Sequence, residues 1–156
     1  MRVLYTGRRD APPAVERELN ARRVPLNTLL SESDFVTLHV PLSEETHHMI
    51  SVAQLCAMKP HAVLINTARG PVVDERALVA ALEEGLLGGA ALDVFEYEPA
   101  VPDALLALDN VVLLPHVGSA VTSVRSLMCA LAARDCAAVL SGCESPQHVV
   151  NPEVLR

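Results

Sequence analysis

Apolar runs of strand length recur along this chain with helical patterns between them: Arg2 to Tyr5 (R-V-L-Y), Phe35 to Val40 (F-V-T-L-H-V), Ala62 to Asn66, Ala90 to Val94 and Val111 to Leu114. This alternation constrains the fold more than any other feature. Parallel strands need a crossover between them, and the crossover is made by a helix in a right-handed unit. The runs are near-continuously apolar, as in strands covered on both faces. The fold class that follows is α/β, a doubly wound parallel sheet.

The helical segments carry their own punctuation. Pro13 to Arg22 reads as a helix opened by proline in its first turn, with Val24 to Leu26 a very short strand behind it. Asn27 is placed to cap Thr28 to Glu32, and Ser51 to cap Val52 to Met58 before Lys59-Pro60 breaks the helix. Asp74 caps an amphipathic helix that runs to Glu84, with acidic residues in its first turn and Gly85 past its end. A helical turn over Asp103 to Leu108 precedes the last strand. From Ser119 to Gly142 the longest helix is expected, with Val121, Val124, Met128, Leu131 and Val139 on an apolar face. Residues 1–142 are expected to form the domain and residues 143–156 an irregular tail.

Composition excludes some functions. Aromatic residues are only 3% against 51% hydrophobic, so the core must be built from Ala, Val and Leu. A formal charge of −7 argues against non-specific nucleic-acid binding, which needs basic patches. No apolar run approaches bilayer-spanning length and no signal sequence opens the chain, so no membrane role and a cytoplasmic location are expected. Cys56, Cys129, Cys136 and Cys143 form no C-x-x-C pair, which argues against a metal site and a disulfide framework. They read as small buried apolar groups in a reducing compartment.

Three charged residues stand just beyond apolar runs, where open α/β sheets place their ligands. Arg69 follows the run ending at Asn66, Glu98 the run ending at Val94, and His116 the run ending at Leu114. Arg69 offers a planar fork suited to a carboxylate, although a structural ion pair would use it equally well. Glu98 alone would be a solvated loop carboxylate, and a lone histidine is more often a satisfied polar group than a catalyst. Adjacent parallel strands would carry all three to one sheet edge. A glutamate bonded to the imidazole would favour the protonated form, giving a general acid, and the missing ingredient would be a hydride donor.

In this light the chain resembles the nucleotide-binding domain of D-isomer-specific 2-hydroxyacid dehydrogenases. The resemblance rests on L-H-V-P-L-S-E-E-T-H-H-M-I (38–50), L-I-N-T-A-R-G-P-V-V-D-E (64–75), A-A-L-D-V-F-E-Y-E-P (90–99) and L-L-P-H-V-G-S-A (113–120). It implies that His116 is the acid–base catalyst, Glu98 its carboxylate partner, and Arg69 the residue that binds and polarises a small 2-oxo acid. It also implies that Asp93 holds the nicotinamide carboxamide and that Pro41, Thr67, Ala68 and Gly118 border the cofactor. His47 and His48 match a variable surface loop and receive no role. A homodimer is implied as well.

The T-G-R-R loop bears on the cofactor. Where NAD enzymes carry an acidic residue after the second strand, this chain has Thr6, with Arg8 and Arg9 following. An uncharged residue beside arginines favours NADP over NAD, as in the glyoxylate/hydroxypyruvate reductase branch, whose L-Y-T-G-R loop this one resembles. The family's G-x-G-x-x-G, which brings the backbone close to a pyrophosphate, is not in the sequence. With a strand order of 3-2-1-4-5-6, the strand that carries it would occupy the middle of the sheet. The expectation is thus a fragment of a longer reductase, inactive by itself. The rival reading is a non-catalytic binding or interaction protein of the same fold.

Overall fold

The computed structural model describes residues 1–142 and 145–155 and divides into two compact units, Met1–Pro115 and His116–Arg156. In the first unit the elements alternate as β1 (Val3–Tyr5), α1 (Pro13–Leu19), β2 (Ala21–Arg23), α2 (Leu26–Glu32), β3 (Phe35–Leu38), α3 (Val52–Cys56), β4 (Val63–Asn66), α4 (Glu75–Glu83), β5 (Gly89–Leu92), α5 (Asp103–Leu106) and β6 (Val111–Leu113). A short 3-10 turn, Gly70–Val72, precedes α4. Every strand pair is parallel.

The strands form two sheets. One has the order β1-β2 and the other β3-β4-β5-β6. Among the described residues nothing pairs β1 with β3, and a cleft of about 400 Å³ lies between them, lined by Val3 and Leu4 on one side and Phe35 and Thr37 on the other. Phe35 is 66% exposed there. The interruption falls where the central strand of a doubly wound sheet belongs.

The core belongs to the four-stranded sheet. Val36, Leu38, Leu64 and Leu92 from its strands pack with Leu30, Leu55, Leu78 and Leu105 from the helices. Local sequence explains the helix starts. Asp74 Oδ1 accepts the Ala77 N–H at 3.1 Å, and the Gln54 side chain accepts the Ser51 N–H at 3.3 Å, each removing an unpaired donor from a first turn.

Several sequence expectations are corrected. The first helix stops at Leu19, because Asn20 takes a left-handed C-cap, and the short strand is Ala21–Arg23 rather than Val24 to Leu26. Helix α2 starts at Leu26 behind Pro25, so Asn27 lies inside the helix and does not cap it. Cys56, Cys129 and Cys136 are exposed, not buried. The heptad spacing of the last two does place them on one side of a helix, but that side faces solvent; Cys143 lies outside the described residues.

The second unit opens at His116 and contains α6 (Thr122–Ser141), closed by Gly142 in a left-handed conformation. Within it, Asp135 accepts the backbone N–H groups of Gln147 at 2.9 Å and His148 at 3.0 Å, which ties the tail to the helix. Residues Pro152–Leu155 make a single 3-10 turn. Val121, Val124, Met128 and Val139, expected on a packed face, are 43% to 60% exposed. No helix among the described residues is long and apolar enough to cross a membrane.

Candidate active site

Asn66 ends β4 and is 1% exposed. Its Oδ1 accepts the Ala68 N–H and its Nδ2 donates to the Arg69 carbonyl, both at 3.0 Å. A buried amide must find partners, and here the partners are the backbone of the turn that follows. Thr67-Ala68-Arg69 is therefore folded by Asn66. Arg69 emerges exposed, with one guanidinium N–H donating to the Ala68 carbonyl at 2.6 Å, one of the five donors that the fork carries. Thr67, Ala68 and Arg69 line one cleft, of about 560 Å³, with His39, Val40, Pro41 and Leu42 from the segment after β3.

The neighbouring strand β5 leads to two carboxylates, Asp93 and Glu98. Its continuation is tied to β4 where the Asp93 N–H donates to the Asn66 carbonyl at 3.0 Å. Asp93 is 5% exposed. Beyond it the chain turns, and Glu98 Oε1 accepts the Phe95 N–H at 3.0 Å, so the exposed Glu98 side chain closes the Phe95–Glu98 loop on itself. This loop lies directly on the Arg69 turn. A Cβ placed on Gly70 would overlap the Phe95 carbonyl and the Glu96 nitrogen. Only glycine lets the two backbones approach so closely.

A cluster that sequence reasoning passed over sits beneath this contact. Glu75 accepts the Glu96 N–H and Glu96 accepts the Glu75 N–H, both at 3.2 Å. The Glu96 carboxylate also accepts from His48 Nε2 at 3.0 Å. Burial pushes Glu75 above the ordinary carboxylate range, and the nearby Glu96 charge adds to the effect against the Glu96 amide bond. Burial pushes Glu96 up too, but the His48 hydrogen bond and the Glu75 amide outweigh it and leave Glu96 below its usual value. The doublet Asp74-Glu75 at a helix start and the alternation of Glu96 with Glu98 are the sequence signals that could have pointed here. His48 is not the simple surface-loop residue expected.

Of the residues expected to bind a cofactor, Thr67 and Ala68 line the first cleft with Pro41, while Thr6 and Arg8 line a second one that Pro41 shares. Thr6, Gly7 and Arg8, after β1, share with Leu26, Val40, Pro41 and Met49 a cavity of about 660 Å³, within the range of ligand pockets. Its wall is apolar at Leu26 and Val40 and cationic at Arg8, while Glu44 and Glu45 line it from the loop after Pro41. Arg9 meets Arg8 at an adjoining hollow. Apolar side chains, one guanidinium and two carboxylates thus line the same cavity. Asp93 lines neither cleft.

His116 belongs to the second unit, three residues beyond the end of β6. It is exposed and has φ 53°, a left-handed conformation that histidine adopts more readily than most residues. Gly118 follows it in the same exposed stretch. Among the described residues no group of three His, Cys, Asp or Glu could hold a metal.

The chain is similar to known proteins in sequence and in fold. The chain is 54% identical over 155 residues to a glyoxylate reductase of Thermococcus onnurineus, covering 99% of this chain and 46% of the relative, and 52% identical to glyoxylate/hydroxypyruvate reductase B of Klebsiella pneumoniae, covering 99% and 47%. It therefore spans about half the length of the curated relatives it matches. Among solved structures it is similar to the NADPH-dependent glyoxylate/hydroxypyruvate reductase of Sinorhizobium meliloti in complex with NADP and malonate, with a TM-score of 0.85 and 38% identity over 96% of this chain and 46% of that one. It is similar too to the holo form of Rhodotorula graminis D-mandelate dehydrogenase, with a TM-score of 0.84 and 37% identity over 88% of this chain and 40% of that one. Residues 1–118 match the family described as D-isomer specific 2-hydroxyacid dehydrogenase, NAD binding domain, and the chain belongs to that family.

Proposed function

We propose that the protein carrying this chain reduces a small 2-oxo acid, of the glyoxylate or hydroxypyruvate type, with NADPH. The observation that carries the reading is the Arg69 turn. An exposed guanidinium stands at the carboxyl end of a parallel strand, held by a buried asparagine, in one cleft with Pro41, Thr67 and Ala68. A guanidinium binds both oxygens of a carboxylate in plane, and in doing so fixes the neighbouring carbonyl for reaction.

NADPH would supply the hydride to the carbonyl carbon. His116 gives its proton to the carbonyl oxygen as charge develops there, and Glu98 is the carboxylate that tunes the histidine. The roles of His116 and Glu98 are supported by the L-L-P-H-V-G-S-A and D-V-F-E-Y-E-P motifs. Arg8 and Arg9 favour a 2′-phosphate, and no acidic residue occupies the position of Thr6. The relatives named glyoxylate reductase support the substrate class.

Steady-state reduction of glyoxylate by the full-length protein tests the reading. His116→Ala should lower kcat by roughly 10²–10⁴-fold with the protein still folded, the range of general acid–base catalysis; an unchanged kcat would refute its role. Equal kcat/KM with NADH and NADPH would remove the cofactor assignment. Residues 1–156 alone should bind NADPH weakly, since the glycine loop is not among them, and micromolar affinity would contradict that expectation.

A further inference from the structure

We propose that His48 is a positioning residue: through Glu96 and Glu75 it holds the loop bearing Glu98 against the turn bearing Arg69. The inference rests on the reading above for the importance of those two residues, but the clamp itself is visible in the bonding. His48 touches both partners. Its backbone N–H donates to the Pro71 carbonyl at 2.8 Å, immediately after the Arg69–Gly70 turn, while its imidazole donates to Glu96 Oε1 at 3.0 Å, two residues before Glu98.

The two flanks of this bridge are independently fastened. Ile50 N–H donates to the Val72 carbonyl at 3.1 Å and Asp74 N–H to the Ile50 carbonyl at 2.9 Å, so the segment from His48 to Ile50 runs alongside the segment from Pro71 to Asp74. Across from it, the reciprocal bonds between Glu75 and Glu96 seal the loop to the first residue of α4. Gly70 allows the Phe95 carbonyl to lie against it. What remains is the orientation of the Glu96 carboxylate: one oxygen takes the Glu75 amide and the other takes the imidazole. Removing the imidazole takes its hydrogen bond from that second oxygen and weakens the hold on the carboxylate's orientation against the Glu75 amide.

The geometry of His48 supports a selected role. It has φ 51°, a left-handed conformation that histidine, like asparagine and aspartate, adopts more readily than most residues. The side chain that bears this conformation is half-buried beside His47, with ring centroids 4.0 Å apart. The side chain at this position reaches from the segment beside Pro71 to the Glu96 carboxylate.

Amide hydrogen exchange on this chain, read by NMR for His48→Ala and His48→Gln, tests the clamp. Both variants bear the same left-handed backbone, and glutamine places a donor near the position of the imidazole Nε2, so their difference isolates the hydrogen bond. In the alanine variant the Glu75 and Phe95 amides should exchange at least tenfold faster. In the glutamine variant they should return to within about threefold of the native chain, and the Leu64 amide of β4 should be unchanged in both. Unchanged Glu75 and Phe95 exchange in the alanine variant would overturn the proposal. Equal acceleration in the two variants would also overturn it, since backbone strain would then govern the loop. Faster exchange that includes Leu64 would reduce His48 to a general contributor to stability and overturn it likewise. None of these readouts depends on turnover, so the clamp can fail while the reductase reading stands, and the reverse.

Discussion

The two sheets of the first unit are made by the same β-α alternation yet are held by different forces. The four-stranded sheet buries its side chains: Leu64 is 0% exposed, and Leu78, Leu55 and Leu105 close over it. The two-stranded sheet has no comparable core. Helix α1 contains no buried residue, β1 is only half-buried, and Val24, just past β2, is 8% exposed. Polar contacts take over there. Tyr5 donates its hydroxyl to Glu16 and accepts the Ala11 N–H at 2.8 Å, while Arg2 pairs with Glu32 at 3.0 Å and Arg23 with Asp10 at 2.8 Å. Burial is proportional to apolar area removed from water, whereas exposed ion pairs contribute little. The half that holds Arg69 and Glu98 is thus the stable half, and the half that holds Thr6, Arg8 and Arg9 the loose one.

Paired truncations would break that contrast most directly. Leu64→Ala should lower the unfolding free energy by about 2–5 kcal/mol, the cost of a core cavity. Leu19→Ala, in a helix where the side chain is 52% exposed, should cost less than about 1 kcal/mol. Urea denaturation of both variants measures the difference. Equal losses would mean that the small sheet shares one core with the large one.

The same contrast explains what could be read from the sequence. Long apolar runs bounded by helix signals identified β3 to β6, since a strand buried on both faces leaves a strong pattern. Strand β2 leaves no such pattern in Ala21-Arg22-Arg23; it forms because Asn20 ends the helix and the backbone pairs with β1. The positions of Arg69, Glu98 and His116 just past apolar runs were legible, and their proposed roles rest on motifs. Asn66, Glu75 and His48 were not, because their importance lies in bonds to backbone groups distant in sequence, which no local pattern records. The exposed cysteines had the spacing of one helix side, and spacing cannot say what covers that side.

Within the stable half, the Asp74 cap gives the next largest effect. Asp74→Ala should cost about 1 kcal/mol, the usual value of a helix N-cap. The Ala77 amide bond, with help from the Ser51 hydroxyl, holds the Asp74 carboxyl below its ordinary range against a burial effect in the other direction. A depressed folded pKa means that this stability is present above the unfolded pKa near 4 and is lost as pH falls through the folded value. Glu75 acts with the opposite sign. Its raised pKa favours the folded state most when the carboxyl is protonated, and that advantage disappears as pH rises through the folded value. Urea midpoints taken from pH 3 to pH 7 should therefore fall on the acid side less steeply in Asp74→Ala than in the native chain. Identical acid limbs would show that the cap carries no charge-dependent stability.

The smallest effect sharpens the comparison from the loose half. Arg23 ends β2 and reaches over the T-G-R-R loop, with one guanidinium nitrogen on Asp10 Oδ1 at 2.8 Å and the other on the Gly7 carbonyl. Both members of the ion pair are well exposed, so solvent and salt screen it. Arg23→Ala should lower unfolding free energy by no more than about 1 kcal/mol, and the difference should shrink further in 0.5 M salt, roughly a Debye length of 4 Å. A loss above about 2 kcal/mol, insensitive to salt, would show that this side chain does for the small sheet what Leu64 does for the large one. The expected outcome places the anchor of the T-G-R-R loop in a few screened polar contacts, so Thr6 to Arg9 should exchange their amides faster than any segment around Arg69.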